Sequence, residues 1–139
     1  MIGKILDRIT SGKSKISESE KQQLNDELER ILSQPPQPDL RVIGLFSDVS
    51  DDKIAELIHA LIYMDEINRI SEESKPVEFY ISTYGGSADD MFGMYDVMRV
   101  IRERTEIHTV GLGKVMSAGV LLLASGTKGK RCIGQNCRG

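Results

Sequence analysis

The stretch Val77-Glu78-Phe79-Tyr80-Ile81-Ser82-Thr83-Tyr84-Gly85-Gly86-Ser87-Ala88 decides how this chain folds. Its first half is apolar, aromatic and β-branched, which is the composition of a strand, and Lys75-Pro76 punctuates its start. Two glycines follow and allow backbone conformations closed to other residues. From about Ala88 to Arg102 the residues Met91, Met94, Tyr95, Val97, Met98 and Ile101 recur at the spacing of a helix with one buried side. Strand, glycine turn and helix in that order form the unit from which parallel sheets with crossover helices are built.

The same unit recurs on both sides. Upstream, Arg41-Val42-Ile43-Gly44-Leu45-Phe46 reads as a short buried strand. Ser50-Asp51-Asp52-Lys53 then opens a helix running to about Arg69, whose Ile54, Leu57, Ile58, Leu61, Ile62 and Ile67 are expected to pack on the sheet. Downstream, Glu106 to Leu112 reads as a third strand, and Ser117 opens an apolar helix through Leu123 that Gly126 is expected to end. The order predicts an α/β fold with a mostly parallel sheet and right-handed crossovers. Ahead of it, Ser17 and Glu20 form a capping box for an amphipathic helix carrying Leu24, Leu28, Ile31 and Leu32. Gln34-Pro35-Pro36-Gln37-Pro38 reads as a stiff linker. Two segments are therefore expected: an N-terminal arm over 1–38 and a domain over 39–139.

Composition narrows the function classes. With 40% hydrophobic and 28% charged residues and a net charge of −3, the chain reads as an ordinary soluble globular protein with no nucleic-acid partner. Its longest apolar run, Val120 to Ala124, is far too short to span a bilayer, so no membrane association and a cytoplasmic location are expected. Cys132 and Cys137 have a spacing that fits neither a zinc pair nor a redox C-x-x-C, so they read as free thiols and no metal is expected.

Ser117, in Met116-Ser117-Ala118-Gly119, reads as a buried serine at a strand-to-helix junction, and Gly85-Gly86 sits at another. In parallel sheets functional groups collect at such junctions, beside helix N-termini. A serine hydroxyl there is a candidate nucleophile. The N–H groups of Gly86 and Ala118 are candidate donors to the negative charge that develops on an attacked carbonyl. A Gly-Gly turn is also ordinary turn chemistry, and a serine heading a helix is also an N-cap. The Gly-x-Ser-x-Gly elbow of α/β-hydrolases is absent, because Val115 stands two residues before Ser117. Phosphate-binding and dinucleotide fingerprints are absent too. No general base is evident: His59 falls within a helix, His108 lies in the strand nine residues before Ser117, and Lys114 reads as solvent-facing rather than as partner of a serine–lysine dyad.

Four stretches recur in the order of one known family: Phe79 to Ser87, Gly93-Met94-Tyr95-Asp96-Val97-Met98, Gly113-Lys114-Val115-Met116-Ser117-Ala118-Gly119, and Ala124-Ser125-Gly126-Thr127-Lys128-Gly129-Lys130-Arg131. From Arg41 to Arg138 the chain resembles the proteolytic subunits of the Clp protease, within the ClpP/crotonase superfamily. The resemblance implies a serine-type endopeptidase, assembled into heptameric rings, that cleaves unfolded polypeptides. A separate Clp-type ATPase would use the ATP, and this chain would hold no cofactor. Residue by residue, it places Ser117 at the nucleophile, Gly86 and Ala118 at the oxyanion hole, and Gly85 and Ser87 at the substrate. Tyr84 stands where the family usually has proline, and Lys114 and Val115 replace small or neutral residues, departures that resemble bacteriophage-encoded members. Residues 1–38 do not resemble the family's axial loop, which engages the ATPase.

In the family a catalytic histidine follows Asn-x-Arg by a few residues and an aspartate comes later, whereas the sequence here closes on Asn136-Cys137-Arg138-Gly139. The resemblance therefore implies the N-terminal part of such a domain, incomplete at its C-terminus and inactive alone. Two other readings stand beside it. One is a catalytically inactive regulatory ring subunit. The other is an acyl-CoA enzyme of the crotonase branch, against which Ser117 and the stretch Thr127 to Arg131 speak.

Overall fold

The computed structural model describes residues 17–33 and 40–139, and the chain divides into two units, Met1–Asp39 and Leu40–Gly139. In the first, helix α1 spans Glu18–Ser33. The Ser17 hydroxyl accepts from the Glu20 N–H at 3.2 Å while the Glu20 carboxylate accepts from the Ser17 N–H at 3.1 Å, the reciprocal capping box expected there. No residue of α1 is buried, and Leu28, Ile31 and Leu32 are exposed. The proline-rich linker lies outside the described residues.

The second unit holds strands β1 (Val42–Leu45), β2 (Val77–Thr83), β3 (Ile107–Val115) and β4 (Arg131–Ile133), and helices α2 (Asp51–Ser71), α3 (Ala88–Ile101) and α4 (Ala118–Ala124). Among the described residues they form one sheet in the order β1-β2-β3-β4 with every pair parallel, Phe79 lying between Ile43 and Thr109. The α/β class and parallel sheet are those expected. Strand β4 is not: Arg131-Cys132-Ile133 is too short and too exposed to carry a burial pattern of its own. Strand β3 also runs three residues beyond its expected end.

Alternation along β2 shows which side of the sheet is covered. Val77, Phe79, Ile81 and Thr83 are buried, whereas Glu78, Tyr80 and Ser82 are not. Leu45, Leu61, Phe79, Ile81, Met94, Met98, Ile107 and Leu122 fill the space between that side and the helices. Each such side chain is worth about 1.5–3 kcal/mol of burial.

Helix α2 departs from expectation on one flank. Its core stripe is Ile54, Leu57, Leu61 and Met64, alternating three and four residues apart, while Ile62 and Ile67 are 46% and 39% exposed. The helix is apolar on more sides than one sheet can cover, so its second stripe turns away. The helix opens at Ser50, which accepts from the Lys53 N–H, and closes at Glu72 in the left-handed conformation, φ 55°. Gly126 also plays a different part from the one expected. Helix α4 is capped by Ser125 in a right-handed conformation, and Gly126 has no positive φ. A Cβ on Gly126 would instead collide with the Thr109 side chain, so this glycine lets the chain pass close against β3.

At the N-terminal edge of the sheet a buried polar cluster joins the helices. Arg41 donates to the carbonyls of Met64, Lys75 and Pro76. Asn68 Nδ2 donates to Lys75 O and Thr105 Oγ1, Thr105 donates to Asp65 at 2.7 Å, and Arg104 forks onto the same carboxylate. Burial of Asp65 acts to raise its pKa, but the hydrogen bonds from Arg104 and Thr105 and the Arg104 charge prevail and hold it below the ordinary value of 3.8. A lowered folded pKa means stability present above the unfolded value and lost as pH falls through the folded one. Asp65→Asn is therefore expected to cost about 1–2 kcal/mol at neutral pH, discounted for the half-exposed Arg104. In urea unfolding followed at several pH values, the gap from wild type should narrow as pH drops below 3.8. A gap independent of pH would show that the charge of Asp65 is not what the cluster needs.

Candidate active site

Strands β2 and β3 pair in parallel, so both deliver their C-terminal ends to the same rim. There the chain turns are joined by main-chain bonds. Met116 N donates to Thr83 O at 3.0 Å, which fixes the approach to Ser117 against the end of β2. Val49 N donates to Gly85 O at 2.8 Å and Ser87 N to Val49 O at 2.9 Å, so the loop after β1 clasps Gly86 from the other side. Thr83 ties the three together: its hydroxyl donates to Ser47 O at 2.7 Å and accepts from Gly85 N at 3.0 Å.

Both glycines are required by geometry. Gly85 has φ 106° and Gly86 φ 150°, regions that other residues rarely adopt. A Cβ on Gly85 would lie 2.7 Å from Ser117 Cβ and 3.1 Å from its Oγ, and one on Gly86 would strike Val49. The Gly85 main chain thus packs directly on Ser117. Among the described residues no hydrogen bond is made by the N–H of Gly86, or by that of Ala118 in the first turn of α4, where helix donors are naturally unpaired.

Ser117 is exposed, not buried as its apolar neighbours imply, because the chain reverses sharply at this residue and turns its side chain to the rim. Its backbone has φ 51° and ψ −122°, and its hydroxyl makes no cap bond to α4. An ordinary N-cap has extended backbone and a bonded side chain, and Ser117 has neither. Strain of this kind, of order 1–3 kcal/mol, is held in place by surrounding packing and gathers at functional sites. The glycine two residues on supplies some of that packing: a Cβ on Gly119 would meet Thr83 Cγ2 at 2.5 Å. A tight strand-to-helix elbow forms although the Gly-x-Ser-x-Gly pattern is broken at Val115, a core residue here.

The candidate bases are placed elsewhere. His59 is exposed on α2, beside Ile58 and Ile62. His108 lies near the start of β3, which at about 3.3 Å per residue puts it roughly 20 Å from Ser117. There it bonds Glu106 at 2.8 Å, and that hydrogen bond lowers the Glu106 pKa. Lys114 is not simply solvent-facing: its ammonium sits 4.8 Å from the centre of the Tyr84 ring, a cation–π contact. Lys114 makes no hydrogen bond to Ser117. Ser87 caps α3 with its hydroxyl, accepting from Asp90 N at 3.3 Å. Sequence reasoning missed Val49 and Thr83, whose roles arise from pairing across the sheet and leave no local pattern. Among the described residues no group of three or more His, Cys, Asp or Glu could hold a metal, and no helix is long and apolar enough to cross a membrane.

The strain at Ser117 is directly measurable. Ser117→Gly removes the Cβ that disfavours φ 51° and is expected to raise stability by about 1 kcal/mol in thermal unfolding, while Ser117→Ala, which keeps the Cβ, leaves it unchanged. Equal midpoints for the glycine variant and wild type would show that the turn stores no strain.

Three comparisons bear on this arrangement. The family model described as Clp protease matches residues 14–139. The chain is 35% identical over 91 residues to ATP-dependent Clp protease proteolytic subunit 3 of Synechococcus sp. (strain CC9605), covering 66% of this chain and 42% of that protein. It is 38% identical over 99 residues to ATP-dependent Clp protease proteolytic subunit 1 of Leifsonia xyli subsp. xyli (strain CTCB07), covering 70% and 47%. It thus spans less than half the length of these curated relatives. The crystal structure of the ClpP protease catalytic domain from Plasmodium falciparum superimposes with a TM-score of 0.63 at 27% identity, over 90% of this chain and 61% of that one. With the family model matched over residues 14–139 and the fold superimposing on a ClpP catalytic domain, the chain belongs to the Clp protease family.

Proposed function

We propose that this chain carries the nucleophile and oxyanion hole of a serine-type endopeptidase, as the proteolytic subunit of a Clp-like protease. The observation that carries the reading is Ser117 itself: exposed, uncapped, held at positive φ and packed on the Gly85 main chain. In the proposed reaction Ser117 Oγ attacks a peptide carbonyl. Its carbon becomes tetrahedral, and the N–H groups of Gly86 and Ala118 take the developing oxyanion. Collapse breaks the C–N bond, the amine leaves carrying the proton given up by Ser117 Oγ, and the acyl-enzyme that remains is hydrolysed by water. One such donor is worth about 3 kcal/mol to the transition state.

The proton of Ser117 needs an acceptor that no histidine among the described residues provides. The segment around Arg138 runs parallel to β3: Val115 N donates to Arg138 O at 2.7 Å and Arg138 N to Gly113 O at 3.0 Å. Residues following Arg138 in that register would pass alongside Met116 and Ser117, which is where the family's histidine after Asn-x-Arg would be wanted. Gly85 and Ser87 would line the path of an extended, unfolded polypeptide, bound through its main chain and so with little regard for side chains. Unfolding falls to a separate Clp-type ATPase that uses the ATP. The subunits assemble into rings in the cytoplasm and need no metal, nucleic acid or membrane.

A second reading is that the chain enters rings of its relatives as an inactive regulatory subunit, since neither His59 nor His108 lies beside Ser117. The two readings are distinguished by labelling with an active-site serine phosphonate, applied to the 139-residue chain, to Ser117→Ala and to a chain extended through a histidine after Asn-x-Arg. Labelling of the extended chain that vanishes in Ser117→Ala is the expected result. Its absence there would overturn the peptidase and leave the regulatory reading. Labelling of the 139-residue chain itself would mean that a base is assembled from within it.

A further inference from the structure

At the end of α4 remote from Ser117, about 10 Å along the helix axis, a cleft of about 400 Å³ opens. Three cations converge on it: Arg102 from the end of α3, Lys128 from the turn after α4, and Arg131 at the start of β4. Arg102 Nη1 donates to Ser125 O and Arg131 Nη1 to Ala124 O, each at 2.8 Å. These bonds satisfy the last carbonyls of α4 and fix the two guanidinium groups, but each uses one N–H of five and neutralises no charge. Among the described residues none of the three cations has a carboxylate within ion-pair distance. The neighbouring Lys130 differs, its charge acting on Glu106. In a chain of net charge −3, three uncompensated cations on one concavity form a local field that a negative ligand would relieve.

We propose that this cleft is a binding site for a small phosphorylated anion carrying two or more phosphoryl charges. A single carboxylate would leave two of the three cations unneutralised, whereas linked phosphoryl groups match both the charge and the donor geometry. Planar guanidinium groups take phosphate oxygens in pairs, and the lysine ammonium adds a mobile point charge. The cleft lies within the range of about 300–1,000 Å³ usual for small-molecule sites, and Tyr95 and Leu121 give it a less polar wall for the remainder of such a ligand. Ligand held there would join the ends of α3 and α4 to the start of β4. The site stands apart from Ser117, and its existence does not depend on peptidase activity.

The test is calorimetric titration of the 139-residue chain with tripolyphosphate at low and high salt, with citrate as the carboxylate arm. Saturable binding at one site is expected, weakening as salt is added, with citrate at least tenfold weaker. Lys128→Gln should weaken tripolyphosphate at least fivefold without moving the thermal midpoint, because the exposed Lys128 side chain makes no hydrogen bond or ion pair among the described residues. Lys53→Gln, which removes an exposed cation paired with Glu56 on α2, should leave binding as it is. Three results would each overturn the proposal: no saturable binding at millimolar tripolyphosphate in low salt, equal weakening by both variants, or citrate binding as tightly as tripolyphosphate.

Discussion

The approach of the Gly85 main chain to Ser117 is the constraint around which this fold is arranged. Two chain segments some thirty residues apart in sequence come this close because β2 and β3 are adjacent and parallel, their register shifting between Ile81 and Thr83 so that Thr83 pairs with Val115 at one rim. Parallel pairing in turn requires a crossover, and α3 supplies it over the buried face of the sheet. The contact tolerates no side chain at Gly85, none at Gly86 because Val49 lies against it, and none at Gly119 because Thr83 does. Three glycines on two segments thus serve one junction, where main chain rather than side chain meets the candidate nucleophile.

The strain at Ser117 belongs to the same arrangement. A serine left to itself at a helix start would adopt extended backbone and cap the helix with its hydroxyl, which would satisfy a donor of α4. Here the bond from Met116 to Thr83 and the packing of Gly119 fix the chain on both sides of Ser117 and hold it at positive φ. The hydroxyl is turned outward and freed from capping, and among the described residues the Ala118 N–H stays unpaired beside it, while those of Gly119 and Val120 bond to Met116 O and Ser117 O. Stability given up at one residue is offset by the buried apolar layer beneath, where Phe79, Ile81 and Leu122 are fully inaccessible. A cation–π pair of Lys114 and Tyr84 lies on the flanking segments.

The turns after the strands gather the candidate chemistry at one end of α4, but the two ends of α4 differ in kind. The Ser117 end offers unpaired donors and a free hydroxyl. The other end is closed by two arginines that satisfy the helix carbonyls and, with Lys128, leave a concentrated positive charge. A seven-residue helix with opposed chemistry at its termini is a compact way of separating two binding tasks on one small unit.

The element order through α4, the parallel α/β class, the capping box at Ser17 and the junction at Ser117 were all legible in the amino-acid sequence, because each rests on local periodicity or on a short pattern of turn formers. Four features were not. Strand β4 lacks a hydrophobic period and exists because β3 offers it an open edge. Gly126 reads as a helix stop, yet serves a close approach to Thr109 that no local rule reveals. Ile62 and Ile67 fit the helix period, but a sheet covers only one stripe of α2, and which stripe depends on how the helix is rolled against β1. The backbone angle of Ser117 was decided by tertiary packing alone: the residues name a serine before a helix, and only the bonds to β2 and the crowding by Gly85 determine that it does not cap it. Local propensity thus sets which elements form, while the contacts between elements distant in sequence set the conformation of the one residue on which the chemistry would turn.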